Sequence, residues 1–425
     1  GVEAGELEGF IRALVTSPDA IQAAGGIEKF LFERGIKKIS VNELNYQDLL
    51  YGELPEDPPE EFFAVEEEPG EGGVPEEDPL ALPAEAPPLL EQLIKQLVAL
   101  DGAREPRAYG ENAAALVSLV NTAEPPFESE DLYRALRVLS GHAAGREGLD
   151  ASIVPHALWA IREIASPKAI DFLIERLMAP RSATAPRVLD LLSQIGSGAI
   201  PQLIDHLAAA KSIRARRILS TAISSFGDAA VPHLLNALND QRWFVIRNTV
   251  TILGEIGNPE TISSLEPLAS NPDRRIAKEA LRALGQIRSP ESRKILERFL
   301  VHARGELQLL AAFALGVLRD PGAVPTLCAM LPRRVIFTRF EIQREVIKAL
   351  AKIGSPAAVP TLGRLLRRRS VLARERNEVL RTVAAQALAR LNTEEARVLL
   401  MAGIGKGNRT VDEICQSAIE AQASR

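Results

Sequence analysis

From about residue 151 to its C-terminus this sequence predicts an all-α, right-handed stack of paired helices, and three observations predict it. The first is a repeated segment: Ala199-Ile-Pro-Gln-Leu-Ile, Ala230-Val-Pro-His-Leu-Leu, Ala323-Val-Pro-Thr-Leu-Cys and Ala358-Val-Pro-Thr-Leu-Gly. Its prolines, Pro201, Pro232, Pro325 and Pro360, stand 31, 93 and 35 residues apart: one period, three periods, and one period with a short insertion. The second is the turn before each such segment. Ile195-Gly196, Phe226-Gly227, Ile256-Gly257 and Ile353-Gly354 close helical stretches, and glycine supplies the left-handed conformation that ends a helix cheaply. The third is apolar spacing at helical period, as in Ile276, Ala280, Leu281, Leu284 and Ile287.

Each element follows in order. Residues 1–52 read as an incomplete α/β module. Two amphipathic helices, one carrying Leu7, Phe10, Ile11 and Leu14, precede an alternating stretch at Ile36–Val41 that has the period of a short strand. A lone strand is not stable by itself, so its partners are expected in a preceding part of the protein, with a second copy of the chain as the alternative, and the Gly-Val start is what a fragment would show. Residues 53–88 read as an acidic, proline-rich, disordered linker. Thirteen acids and no base lie between Glu53 and Glu85, and such a segment cannot bury enough apolar surface to fold alone. Phe62, Phe63 and Val65 among those acids form a candidate docking peptide. Residues 89–150 read as two or three helices capping the first repeat, because they break the 31-residue period. Residues 151–425 hold about eight repeats and a closing helix, Thr410–Ala423, with an apolar side (Val411, Ile414, Ala418) and a wet one. One helical hairpin cannot bury its own apolar face, whereas stacked neighbours can.

The unit of about 31 residues, with Val231-Pro-His-Leu-Leu, the Asn239-Asp240 turn and Val245-Ile-Arg-Asn-Thr-Val-Thr-Ile-Leu-Gly-Glu-Ile-Gly257, resembles the short HEAT repeats also found in phycobilisome lyases. The resemblance covers about two-thirds of the chain and implies an α-α superhelix. The N-terminal stretch resembles the tail of a module in uncharacterised bacterial HEAT proteins. Because one fold hosts many functions, function has to come from the surface.

The surface is electrically segregated. Taking the thirteen linker acids from a net charge of −6 leaves the rest of the chain at +7. Arg364, Arg367, Arg368, Arg369, Arg374, Arg376 and Arg381 concentrate near an insertion at Arg367–Arg376, and a second insertion adds Arg333, Arg334 and Arg339. Insertions in repeat arrays emerge on one face, often the binding face, so the first cluster is the candidate partner-binding patch. Its competing readings are a solvated loop, an acidic peptide site and a phosphate site. In a second basic series, Arg217, Arg247, Lys278 and Arg344 each lie ten residues before the turn marker of their own repeat. Pairing with acids of neighbouring repeats is expected there, with Asp240 and Asp273 as candidate partners.

Catalytic chemistry finds little support. Hydroxylases of this fold place His-Glu dipeptides on successive repeats. None of His142, His156, His206, His233 and His302 precedes a glutamate, and no HExxH or CxxC occurs. Gly403–Gly407 lacks the glycine spacing and the preceding strand of a phosphate loop. Two cysteines make neither a disulfide framework nor a zinc site. Aromatics at 4% are sparse for a base-stacking surface. A pigment lyase is implied only by resemblance. The expectation is a cytoplasmic, non-enzymatic scaffold without cofactor or metal, holding a protein or peptide partner in the groove lined by the longer second helices. A nucleic-acid-binding solenoid using the arginine insertion is the alternative, and no membrane segment is expected.

Overall fold

The structure, a computed structural model, describes residues 78–83, 86–145, 150–179, 185–331, 340–368, 374–405 and 409–423. They form twenty α-helices and no strand among the described residues. The expected α/β module, Phe62, Phe63 and Val65, and the insertion carrying Arg333, Arg334 and Arg339 lie outside them.

The helices are α1 (Pro88–Gly102), α2 (Pro106–Thr122), α3 (Ser129–Ala143), α4 (Val154–Ile164), α5 (Pro167–Met178), α6 (Ala185–Ile195), α7 (Ile200–Ala209), α8 (Ile213–Ser224), α9 (Val231–Ala237) and α10 (Trp243–Ile256). They continue as α11 (Ile262–Leu268), α12 (Arg274–Gln286), α13 (Pro290–His302), α14 (Glu306–Leu318), α15 (Val324–Ala329), α16 (Phe340–Ile353), α17 (Val359–Leu366), α18 (Arg374–Leu391), α19 (Glu394–Gly403) and α20 (Arg409–Ala423). Odd and even helices pair in sequence from α1/α2 to α19/α20. Odd helices make a first layer and even helices a second, and from α8 to α20 each second-layer helix packs on the next. This is the all-α solenoid that the repeats predict.

Local chemistry explains the pieces. Pro201, Pro232, Pro325 and Pro360 sit in the first turn of α7, α9, α15 and α17, where a missing N–H costs nothing. Ser166, Ser212 and Asp273 cap α5, α8 and α12 through backbone N–H groups. The apolar stripes are buried, Leu281, Leu284, Leu315 and Leu350 being fully enclosed. Each contributes about 1.5–3 kcal/mol relative to exposure. Arg319 and Asn392 adopt left-handed conformations at φ 54° and 48°. They make without glycine the turn that Gly257 makes at φ 74°.

Pairing also extends to helices N-terminal of residue 151, where the 31-residue period is not kept. Helix α4 begins Val154-Pro155, the signature that opens first-layer helices elsewhere, yet it packs in the second layer on α2 and α6 and pairs with α3. Proline in the first turn favours a helix start but does not choose a layer. The partners do.

Glycines set how close the second-layer helices come. A methyl built on Gly254 would lie 2.8 Å from Ala283 Cβ, one on Gly285 2.8 Å from Ala314 Cβ, and one on Gly316 3.0 Å from Ala349 Cα. Thus α10, α12, α14 and α16 touch through glycine–alanine contacts. The equivalent positions one step earlier, in α8 and α10, are Ser224 and Ile252, which do not allow so close an approach.

Candidate partner-binding surface

Along the solvent side of the second layer, polar contacts join each helix to the next. Ser224 Oγ donates to Glu255 Oε2 at 2.6 Å, linking α8 to α10. Arg247 Nε approaches Glu279 Oε2 at 3.7 Å, linking α10 to α12. Lys278 pairs with Glu306, linking α12 to α14. Lys352 Nζ lies 4.4 Å from the centre of the Phe313 ring, linking α16 to α14. The basic series is therefore partly a ladder. Arg247 and Lys278 reach acids of the following repeat. Arg344 Nη2 lies 3.5 Å from Glu341 of its own helix. Arg217 is exposed and has no acidic partner among the described residues.

The turn aspartates are engaged elsewhere. Asp240 and Asp273 each accept the backbone N–H two residues on, at 2.7 and 2.9 Å, and each is gripped by that residue's guanidinium. Hydrogen bonds from Arg242 and Arg275 hold both carboxyls down at about 2. An Asp-x-Arg turn satisfies its aspartate locally, so the ladder uses acids on helices instead: Glu279, 8% exposed, and Glu306.

The late arginines divide. Arg367, Arg374 and Arg376 are exposed. Arg364 is half-buried and donates to Thr361 Oγ1 at 3.2 Å. Arg368 Nε donates to Asn377 Oδ1 at 2.8 Å, and burial lowers its pKa. Arg381, 3% exposed, donates through Nε to the Leu366 carbonyl at 2.8 Å and through Nη1 to Glu378 at 2.9 Å. It ties α18 to the end of α17, where a cation suits the orphan carbonyls and the helix dipole. Its charge is thus turned into the array rather than toward a partner. Arg369 lies outside the described residues.

A cavity of about 410 Å³ opens beside the N-terminal turn of α10. Leu207, Ala208, Ala209, Ala210, Lys211 and Arg216 form one side, and Trp243, Phe244, Arg247 and Asn248 the other. Trp243 and Phe244 meet edge to face, with centroids 5.9 Å apart and planes at 89°. The Arg275 guanidinium carbon stacks 3.5 Å from the Trp243 centroid. Three cations and no carboxylate line this space. Sequence reasoning passed over it because the Trp-Phe pair occupies the ordinary start of a repeat helix. Adjacent aromatics on a half-exposed first turn, in a chain so poor in aromatics, were the signal available.

Among the described residues no three His, Cys, Asp or Glu side chains are grouped to hold a metal. Burial raises the Cys328 thiol above its usual range and pushes Cys415 up to about 11, so neither is poised as a thiolate nucleophile. His142 is enclosed, with Nδ1 2.9 Å from Tyr109 Oη and Nε2 3.0 Å from Asp101 Oδ1. This chain braces α1, α2 and α3. No helix among the described residues is long and apolar enough to cross a membrane.

Residues 231–307 and 297–376 match the family model of HEAT repeats, so this part of the array consists of HEAT repeats. Human deoxyhypusine hydroxylase in complex with glycerol is similar at 22% identity over 64% of this chain and 100% of its own, with a TM-score of 0.27. The complex of CpcE and CpcF of phycocyanin lyase from Nostoc sp. PCC7120 is similar at 19% identity over 60% and 94%, with a TM-score of 0.28. An engineered protein is similar at 19% identity over 79% and 99%, with a TM-score of 0.33. No curated protein matches this chain.

Proposed function

We propose that this chain is a non-enzymatic scaffold that holds an extended protein or peptide segment along the solvent side of its second-helix layer. The observation that carries the reading is the recurrence of a cation at one place in successive second helices: Arg217, Arg247, Lys278 and, past Leu309, Arg344. Packed helices lie about 8–10 Å apart, and an extended chain advances about 3.3 Å per residue. Every third residue of a bound segment therefore meets the next rung. The sites differ in how much of their charge is already matched, which gives the face direction and register. The reading places the protein in the cytoplasm, a reducing compartment in which Cys328 and Cys415 stay as the free thiols they are here.

The test is capture from a nuclease-treated native extract by the full chain and by an Arg217→Glu, Lys278→Gln variant whose unfolding curve is checked against the parent. A protein held by the parent and lost by the variant is the expected result. Capture of nucleic acid only, from an untreated extract, lost in an Arg367→Glu, Arg374→Glu, Arg376→Glu variant and steeply salt-dependent, would overturn the reading in favour of the phosphate-binding alternative.

A further inference from the structure

We infer that the cavity beside Trp243 and Phe244 is a docking pocket for an acidic peptide segment bearing an aromatic or aliphatic side chain. The inference rests on the scaffold reading and names the point on the second-helix face where the partner is gripped.

Charge is the first ground. Lys211, Arg216 and Arg247 line the pocket together, and no carboxylate does. Arg216 spends one hydrogen bond on the Ala210 carbonyl, at 3.3 Å. Lys211 is exposed in the turn between α7 and α8 and has no acidic partner among the described residues. Arg247 stands 3.7 Å from Glu279, a charge contact too long for a hydrogen bond. Further along the face, Lys278 has its own carboxylate in contact. The pocket thus gathers three cations of which only Arg247 has a carboxylate nearby, and a ligand carboxylate would supply a partner for Lys211 and Arg216.

Shape is the second ground. Leu207 and Ala208–Ala210 give one apolar wall and the Trp243–Phe244 pair another. About 410 Å³ lies within the roughly 300–1,000 Å³ of ligand pockets.

A peptide fits this site better than a nucleic acid. Sequence-tolerant binding of single strands uses a succession of ring faces. Here two rings stand perpendicular, and Arg275 covers a face of Trp243 while held by Asp273 at 2.7 Å. One side chain can insert between apolar walls, while flanking carboxylates meet the cations.

The experiment uses the full chain with Trp159→Phe, which leaves Trp243 as the sole indole, the chain having two tryptophans. The probe is a synthetic capped peptide in which two glutamates flank a phenylalanine on each side. Its binding is read by Trp243 emission and by anisotropy of a labelled copy. The expected result is saturable binding that shifts Trp243 emission and weakens at least tenfold in Lys211→Glu, Arg216→Glu. Binding should be unchanged in Arg367→Glu and absent for a peptide with lysine in place of glutamate. Lys211→Glu alone, in an exposed turn, keeps the test valid if the double variant misfolds, and should weaken binding about threefold. Binding indifferent to Lys211 and Arg216, no binding at all, or displacement of the peptide by a single-stranded oligonucleotide would each overturn the proposal. Failure here with capture that still depends on Arg217 and Lys278 would sink the pocket and leave the scaffold reading intact. Loss of both would sink the two together.

Discussion

The second-helix layer is built in two ways. Between α10 and α16 the helices touch through Gly254, Gly285 and Gly316 against Ala283, Ala314 and Ala349, and Lys278 has an acid of the next repeat in contact. Between α8 and α10 the glycine column is absent, one serine–glutamate hydrogen bond spans the face, and three cations surround an apolar hollow. The two halves share Arg247, which lines the hollow and also reaches Glu279 across the close α10/α12 interface. One cation of a repeat array can therefore serve the packing on one side and leave a charged surface on the other.

Closing the tight half should have the largest effect. Gly285→Val would force branched methyls into Ala314, whose Cβ and carbonyl already lie 2.8 and 2.9 Å from an added Cβ. Overpacking costs typically 1–3 kcal/mol, and contact with backbone puts this case at about 3. Ser224→Ala, at the equivalent place in α8, should cost only about 1 kcal/mol, the net worth of one hydrogen bond. Thermal unfolding of the two variants compares them directly, and equal losses would erase the distinction between the halves.

The enclosed Tyr109–His142–Asp101 chain comes next. His142→Phe removes both hydrogen bonds and leaves the Tyr109 hydroxyl buried, for about 1–3 kcal/mol. Amide hydrogen exchange should report the loss in α1–α3 and leave α10–α16 unchanged, since stability in stacked repeats is a sum of local and nearest-neighbour terms.

Charge matching is sharpened by Glu279→Gln. Arg247 loses its carboxylate, and the acidic peptide should bind severalfold more tightly at low salt, as isothermal calorimetry would read. The pH response separates another pair. The Asp273 carboxyl is held down at about 2 by Arg275. A carboxyl depressed in the folded state stabilises above its unfolded value and loses that contribution as pH falls through the folded one. The stabilisation should be present above about pH 4 and fade toward pH 2. Asp273→Asn should remove this part of the acid sensitivity in unfolding midpoints measured across that interval.

The smallest effect is a gain. Arg319 holds a left-handed turn at φ 54°, a conformation that costs a residue with a Cβ about 1 kcal/mol. Arg319→Gly should raise stability by about that amount, read as a shifted urea midpoint.

Much of the fold was legible in residues. The spacing of Pro201, Pro232, Pro325 and Pro360 carried the period, and Gly196, Gly227, Gly257 and Gly354 carried the turns. Arg319 and Asn392 take the same left-handed turn without glycine, so position in the period outweighs residue type there. The layer of α4 was not, since Val154-Pro155 signals a helix start and nothing about its partners. The site was legible in part. A cation recurring ten residues before the turn in four repeats was visible, but helical spacing alone does not separate Arg367, which faces water, from Arg381, which caps α17. The pocket depends on Lys211, Arg216 and Trp243 together. They come from neighbouring repeats and declare themselves only when the repeats are aligned column by column.

On the proposal above, the second-helix face grips its partner at the pocket of Lys211, Arg216 and Trp243. Hydrogen–deuterium exchange of the full chain, with and without a saturating acidic peptide, tests it most directly. New protection is expected in segments covering residues 207–216 and 243–248. Protection centred on residues 364–381 instead, or none anywhere, would contradict it.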